Sequence, residues 1–275
     1  MSTLMNVGFS YLQFHLAFLL PAVMLLLVTG FVSRTRITDT TARWTDGWRR
    51  YWAGVVIITV VALVYTTPWD NLLIARGVWW YGEGRTIATI WEAPLEEYLF
   101  IAVQPWLTAL WLSHLSFSTE WPVATRPRAS RVVMLGVAVA VGIAGWQWLG
   151  SDATFYIGAI SAWAAPVLGL QWAVGAPQLW ARRRAVAVGT IVPTLYLCVA
   201  DRIAIEYGIW ILSEQYTTGI SVAGLPIEEA AFFFVTNLFV IQGLVLYRLV
   251  TAKWGIEALS GWIDDRRARI ERPEA

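Results

Sequence analysis

The sequence is poor in the residues from which most soluble active sites are built. It has one cysteine, Cys198, two histidines, His15 and His114, and one lysine, Lys253. A single cysteine excludes an intrachain disulfide and any cysteine-rich metal centre. Two isolated histidines make no metal-ligating cluster, so no metal is expected. Lys253 lies beyond the last long apolar run, which excludes a retinal-type Schiff base inside a helical bundle. Charged residues make up 14% of the 275, against about 25% in an ordinary soluble domain. The net charge of +1 offers no field suited to nucleic acid. No G-x-G-x-x-G opens a strand–helix unit and no Walker lysine is present, so no cofactor is evident.

What the chain has instead is apolar length: 57% of its residues are hydrophobic. A spanning helix needs about 20 mostly apolar residues, and seven runs come near that: 11–32, 51–69, 94–115, 131–150, 155–175, 185–203 and 226–248. The first has no basic residue before it and reads as a spanning helix, not a cleaved signal. Arg76, Arg85 and Arg202 fall on one side of this topology, and every other Lys and Arg falls on the other. Basic loops stay cytoplasmic. The expectation is a multi-pass protein of the cell membrane with its N-terminus outside and its C-terminus in the cytoplasm. In the tail, Trp254, Ala258, Leu259, Trp262 and Ile263 share one helical face ahead of Arg266, Arg267 and Arg269, which predicts an amphipathic helix on the cytoplasmic surface.

The sequence repeats itself. Asp70, Gly77 and Trp79 have the spacing D-x6-G-x-W, and so do Asp201, Gly208 and Trp210. Each is followed by Pro-x-Glu-Glu: Pro94, Glu96 and Glu97, then Pro226, Glu228 and Glu229. Pro21 and Pro166 correspond in the first helix of each copy. The chain divides into a first three-helix repeat (1–117), a linking helix (118–152), a second three-helix repeat (153–250) and the tail (251–275). The expected fold class is an all-α membrane protein with this 3+1+3 order. The linking helix returns the chain to its starting side, so the repeats are parallel and their acids meet at one end of the membrane.

Pro-x-Glu-Glu alone is a sound helix start, with proline at the first helical position and acids in the first turn. Its duplication argues for more, because ionisable groups inside membrane bundles are costly and usually functional. Consecutive helical residues point about 100° apart, so one Glu of each pair is expected to face water and the other the bundle. Asp70 and Asp201 are expected at helix ends, where Asn71, Arg76, Arg202 and Glu206 are available to pair with the carboxylates. Two acids held close together do not both ionise easily, and one keeps the proton that a general acid needs. The carboxylate set is therefore Glu96, Glu97, Glu228, Glu229, Asp70 and Asp201.

The 18 tryptophans divide. Trp44, Trp48, Trp52, Trp121, Trp180, Trp254 and Trp262 lie near basic loops and suit an interfacial belt. Trp69, Trp79, Trp80, Trp91 and Trp210 cluster with the acids and read either as the opposite belt or as π faces for a cation. Asn71 and Asn237 join these five as candidate substrate contacts. Asn237, Gln104 and Gln242 also suit helix–helix hydrogen bonding.

Taken together, the doubled Pro-x-Glu-Glu, the doubled D-x6-G-x-W and the two three-helix repeats resemble the membrane-integral, non-flavin lycopene cyclases, in the fused form of the two-subunit bacterial type. The resemblance rests on the stretches from Pro68 through Trp111 and from Leu225 through Gly243. It implies proton-initiated closure of the ends of lycopene to β-rings, giving β-carotene by way of γ-carotene without net oxidation. It also implies lycopene and other apolar carotenoids as ligands, the lipid bilayer as surroundings, and contact with other enzymes of carotenoid synthesis. Rivals are a cyclase for C50 carotenoids or for ε- or γ-rings, a small 3+1+3 transporter, and a carotenoid-binding scaffold. A transporter needs a polar cavity at mid-membrane, whereas these helix centres read as apolar.

Overall fold

The computed structural model describes the backbone of residues 9–35, 41–115 and 127–270, and the side chains of 9–30, 49–115 and 128–251. Seven helical runs follow one another among these residues. α1 covers 11–35, α2 Thr41–Ala75, α3 Leu95–Ser113, α4 Pro127–Trp148, α5 Phe155–Ala181, α6 Arg183–Glu206 and α7 Ile227–Ile270. Six of them are long and apolar enough to cross a membrane. α3 falls short because Glu96, Glu97 and Gln104 lower its hydropathy, and Glu96 and Gln104 are among its buried residues. The tail continues α7 as helix. The apolar face expected there, and Trp44, Trp48, Trp121, Trp254 and Trp262, lie outside the described side chains.

Local chemistry explains several helix boundaries. Ser10 and Gln13 form a reciprocal capping box at the start of α1. The run His15–Leu19 winds as a π-helix just ahead of Pro21. Proline lacks the amide and crowds the carbonyl four residues back, and the wider turn accommodates both.

The D-x6-G-x-W spacing acquires a physical meaning at the ends of α2 and α6. Gly77 and Gly208 have φ of 75° and 63°. Val78 N–H donates to Leu73 C=O and Gly77 N–H to Ile74 C=O; Ile209 N–H donates to Ala204 C=O and Gly208 N–H to Ile205 C=O. This is a Schellman cap made twice, with glycine in the left-handed position. Asp70 and Asp201 thus do not end their helices, as the sequence suggested. Each sits more than a turn inside, because the glycine and not the acid stops the helix, and α2 runs on through Pro68.

The all-α expectation also misses short ladders in the loops. β1 (Trp79–Tyr81) pairs antiparallel with β4 (Trp210–Leu212), joining one repeat to the other. β2 (Thr89–Ile90) pairs with β3 (Ala93–Pro94), and β5 (Ser221–Val222) with β6 (Leu225–Pro226). Pro94 therefore does not occupy the first helical position. It is the extended cap before α3, with ψ of 157°, because its neighbours are engaged in the β2–β3 pair.

Backbone bonds recur in register between the halves. Gly82 N–H donates to Ile209 C=O and Ser213 N–H to Val78 C=O, while Tyr11 N–H donates to Arg85 C=O and Tyr156 N–H to Tyr216 C=O. The segments around Glu83 and Glu214, unlike in sequence, thus take equivalent backbone positions. α4 packs chiefly along α5, with Gly145 opposite Ser161 and Ala162, a close approach that small residues permit. Mid-bundle, Gln104 Nε2 donates to Asn237 Oδ1 at 2.6 Å, and Asn237 Nδ2 donates to Thr194 Oγ1 at 3.1 Å. The helix centres are therefore not wholly apolar, but this polar group is satisfied internally and joins α3, α6 and α7.

The caps yield a stability test. A Cβ at Gly77 meets no neighbour, so Gly77→Ala isolates the cost of a left-handed L-residue, about 1–2 kcal/mol. It lowers the melting midpoint of the detergent-solubilised protein, whereas Gly136→Ala, mid-helix in α4 with open space around it, leaves the midpoint equal or higher.

Candidate active site

The β1–β4 ladder follows the ends of α2 and α6 and forms one wall of a cavity of about 50 Å³. Side chains alternate across a strand, so Trp79, Tyr81, Trp210 and Leu212 face the cavity while Trp80 turns outward and is 46% exposed. From below come Asp70 on α2, Glu97 on α3, Asp201 on α6 and Glu229 on α7. Phe100, Phe232 and Phe233 complete the wall. Four of the six expected carboxylates thus share one space, and none of the residues lining it is basic.

Two of the set do other work. Glu96 accepts from Ile87 N–H at 2.9 Å. Glu228 accepts from Thr218 N–H and Oγ1–H, both at 2.7 Å. Neither lines the cavity, and neither faces water: both are wholly buried. In each Pro-x-Glu-Glu the first Glu anchors the preceding loop and the second enters the cavity. The expected water-facing partner is lost because the loop folds back over the helix start and supplies donors there.

The cavity acids differ in their support. Tyr11 and Tyr81 hydroxyls both donate to Glu97 Oε2 at 2.8 Å. Tyr156 hydroxyl donates to Glu229 Oε1 at 2.9 Å. Trp210 Nε1–H donates to Asp201 Oδ1 at 2.9 Å, and the other Asp201 oxygen is buried without a partner. Asp70 Oδ2 is likewise buried and unpartnered. Leu212 occupies the ladder position equivalent to Tyr81, so the halves are unequal at the acids. Burial, then the Glu97 carboxylate, pushes the Tyr81 phenol well above its ordinary range and keeps it a donor.

Other expected residues are placed apart from the cavity. Asn71 accepts from Glu92 N–H and Ala93 N–H, fixing the hairpin ahead of Glu96. Arg202 pairs with Glu206 at 3.3 Å, and Arg76 lies over the Phe155 ring, so neither neutralises the carboxylates. Trp91 is at a hairpin turn with φ of 63° and is 68% exposed. Asn237 belongs to the mid-bundle network. Trp69 stands behind the wall, stacked on Phe232 at 5.8 Å and on Trp163 at 4.8 Å.

Sequence reasoning missed the three tyrosines and the phenylalanine wall. A signal existed for two of them: Tyr11 precedes Pro21 by the same spacing as Tyr156 precedes Pro166.

A family model described as lycopene cyclase matches residues 24–115 and 153–247. The chain belongs to the lycopene cyclase family. The two matched blocks bracket α4 and carry all four cavity acids. Lycopene beta-cyclases from two strains of Halobacterium salinarum are each 59% identical over 215 residues, covering 78% of this chain and 89% of theirs. A bifunctional lycopene cyclase/phytoene synthase of Leptosphaeria maculans is 30% identical over 262 residues, covering 87% of this chain and 41% of the fungal protein. No solved structure matches.

The division of each Glu pair is testable by melting. Glu228→Ala strands the Thr218 donors and lowers stability by about 1–3 kcal/mol. Glu97→Gln removes a charge from a cavity without cations, and its midpoint stays equal or rises.

Proposed function

We propose that this protein is a lycopene β-cyclase, closing both ends of lycopene by proton transfer among Asp70, Asp201, Glu97 and Glu229. The observation that carries the reading is the convergence of four carboxylates and an aromatic wall on one small cavity, in a chain 59% identical to named lycopene beta-cyclases.

The chemistry follows from the groups. A carboxylic acid protonates the terminal double bond of the polyene. The tertiary cation is attacked by the neighbouring double bond, and a carboxylate removes a proton to leave the β-ring. One proton enters and one leaves, so stoichiometry requires no redox cofactor. Asp70, which has an unpartnered oxygen, is suited to deliver the proton. Glu97, held by two phenol hydroxyls, is suited to remain anionic and accept it, since hydrogen bonds to a carboxylate favour its charged form. Trp79, Trp210, Phe100, Phe232 and Phe233 offer π faces to the cation, and the same apolar wall limits the water that would quench it.

In this reading the helices form the 3+1+3 bundle, with repeats at 1–117 and 153–250, the link at 118–152 and the tail at 251–275. α3 is the seventh span: its 19 residues reach about 28 Å at about 1.5 Å each. The recurrent hydrogen bonds between the halves support the parallel repeat. The arginine distribution supports an outer N-terminus, a cytoplasmic C-terminus and an acid site at the non-cytoplasmic end. Contacts with other carotenoid-forming enzymes accord with a substrate that does not leave the bilayer.

Expression in lycopene-accumulating cells, read by pigment chromatography, tests the reading. The wild-type chain converts lycopene to β-carotene. Asp70→Asn and Glu97→Gln each lower conversion about 10²-fold or more at equal protein level. Tyr81→Phe, which leaves Glu97 one phenol donor, lowers it less. Normal β-carotene in both carboxylate variants contradicts the assignment.

A further inference from the structure

We propose that the polyene chain of the substrate lies in the groove between α2, α3, α5 and α7, which leads into the carboxylate cavity. The inference rests on the cyclase reading and assigns the part of the ligand that the cavity cannot hold. The cavity measures about 50 Å³, well below the roughly 300–1,000 Å³ of sites that enclose a small molecule. A C40 hydrocarbon therefore places only a terminus among the acids and needs a second, contiguous space for the rest.

The groove is that space. It measures about 390 Å³ and shares two wall residues, Phe100 and Phe232, with the cavity. From Phe232 it follows α7 to Gly243, about 16 Å at about 1.5 Å per residue. The π surface is continuous across the junction. Phe232 stacks on Trp69, and Trp69 on Trp163, which lines the groove. At its far end Gly243 lets Ile58 of α2 approach α7 closely, since a Cβ there would press on it. The rim residues Val61 and Leu170 are apolar and 58% and 67% exposed, on helices apolar enough to span a bilayer. A hydrocarbon dissolved in lipid can enter sideways between α2 and α5 without crossing water. One groove on one cavity also means that the two ends of the substrate are closed in turn.

A second apolar groove, of about 540 Å³ among α4, α5, α6 and α7, is larger but shares no lining residue with the cavity. It supplies the control. Ala62→Phe on α2 and Val167→Phe on α5 obstruct the proposed groove from opposite walls, and Ala187→Phe obstructs the other one. Each is expressed in lycopene-accumulating cells. Rings formed and protein in the membrane fraction are measured, together with the lycopene retained by the purified protein in detergent. Either substitution in the proposed groove lowers ring formation at least tenfold and lowers retained lycopene, at membrane levels within twofold of wild type. Ala187→Phe changes neither. A phenylalanine variant that fails to accumulate is replaced by leucine at the same position, with the same expectation at smaller amplitude. Wild-type ring formation and retention in the Ala62 and Val167 variants overturn the groove and leave the cyclase reading standing. So does loss confined to Ala187→Phe, which would place the polyene in the other groove. A wild-type chain that leaves lycopene unchanged overturns the cyclase reading and the groove with it.

Discussion

Four carboxylates without a cation in one small, apolar-walled cavity form the constraint on which the rest of this molecule depends. Burying a carboxylate costs several kcal/mol even after relaxation, and like charges at close range add to the cost. The protein offsets this with neutral donors: three phenol hydroxyls and one indole N–H reach three of the four acids. These donors come from α1, α5 and the loop ladder, so the helices that carry Tyr11 and Tyr156 are needed to complete the site. The basic side chains near the same end, Arg76, Arg85 and Arg202, are engaged by a ring, by Phe9 C=O and by Glu206. An arginine among the acids would hold them ionised and remove the proton that the proposed chemistry requires.

Duplication gives the geometry its precision. A Schellman cap stops α2 and α6 at matching points, a first-position Glu ties each loop to the following helix, and the β1–β4 pairing locks the two loops to each other. None of these contacts touches the cavity acids, yet each sets where one of them stands. The asymmetry is equally instructive: Tyr81 in one half and Leu212 in the other leave Glu97 with two phenol donors and Glu229 with one. Equivalent backbones with unequal polar partners give Glu97 firmer support than Glu229, in line with the role of proton acceptor proposed for Glu97.

Much of this was legible in sequence because it has a period or a repeat. Six of the helices follow from apolar length, and the glycine-tryptophan spacing and paired glutamates stand out because they occur twice. Other features were not. The positions of Asp70 and Asp201 inside their helices depend on the glycine caps. The division between Glu96 and Glu97 depends on a loop folding back to present Ile87 N–H. The pairing of β1 with β4 is made between segments far apart in the chain, and short strands of this kind have no pattern strong enough to announce them. Trp80 and Trp91 resembled Trp79 and Trp210 in sequence, but alternation along a strand and a turn of positive φ direct them outward. Tyr11 and Tyr156 carried a signal, their matched distance from Pro21 and Pro166, but a tyrosine at a membrane interface has an ordinary explanation that hides it.

Proton delivery by these carboxyl groups is the central claim, and the isotope content of the product tests it most directly. Purified protein in detergent, equilibrated in deuterium oxide, is given lycopene, and the resulting β-carotene is examined by mass spectrometry. The account predicts one deuterium retained for each ring formed, because the added proton comes from solvent-exchanged carboxyl groups and stays on the ring. Rings formed without any deuterium would contradict it.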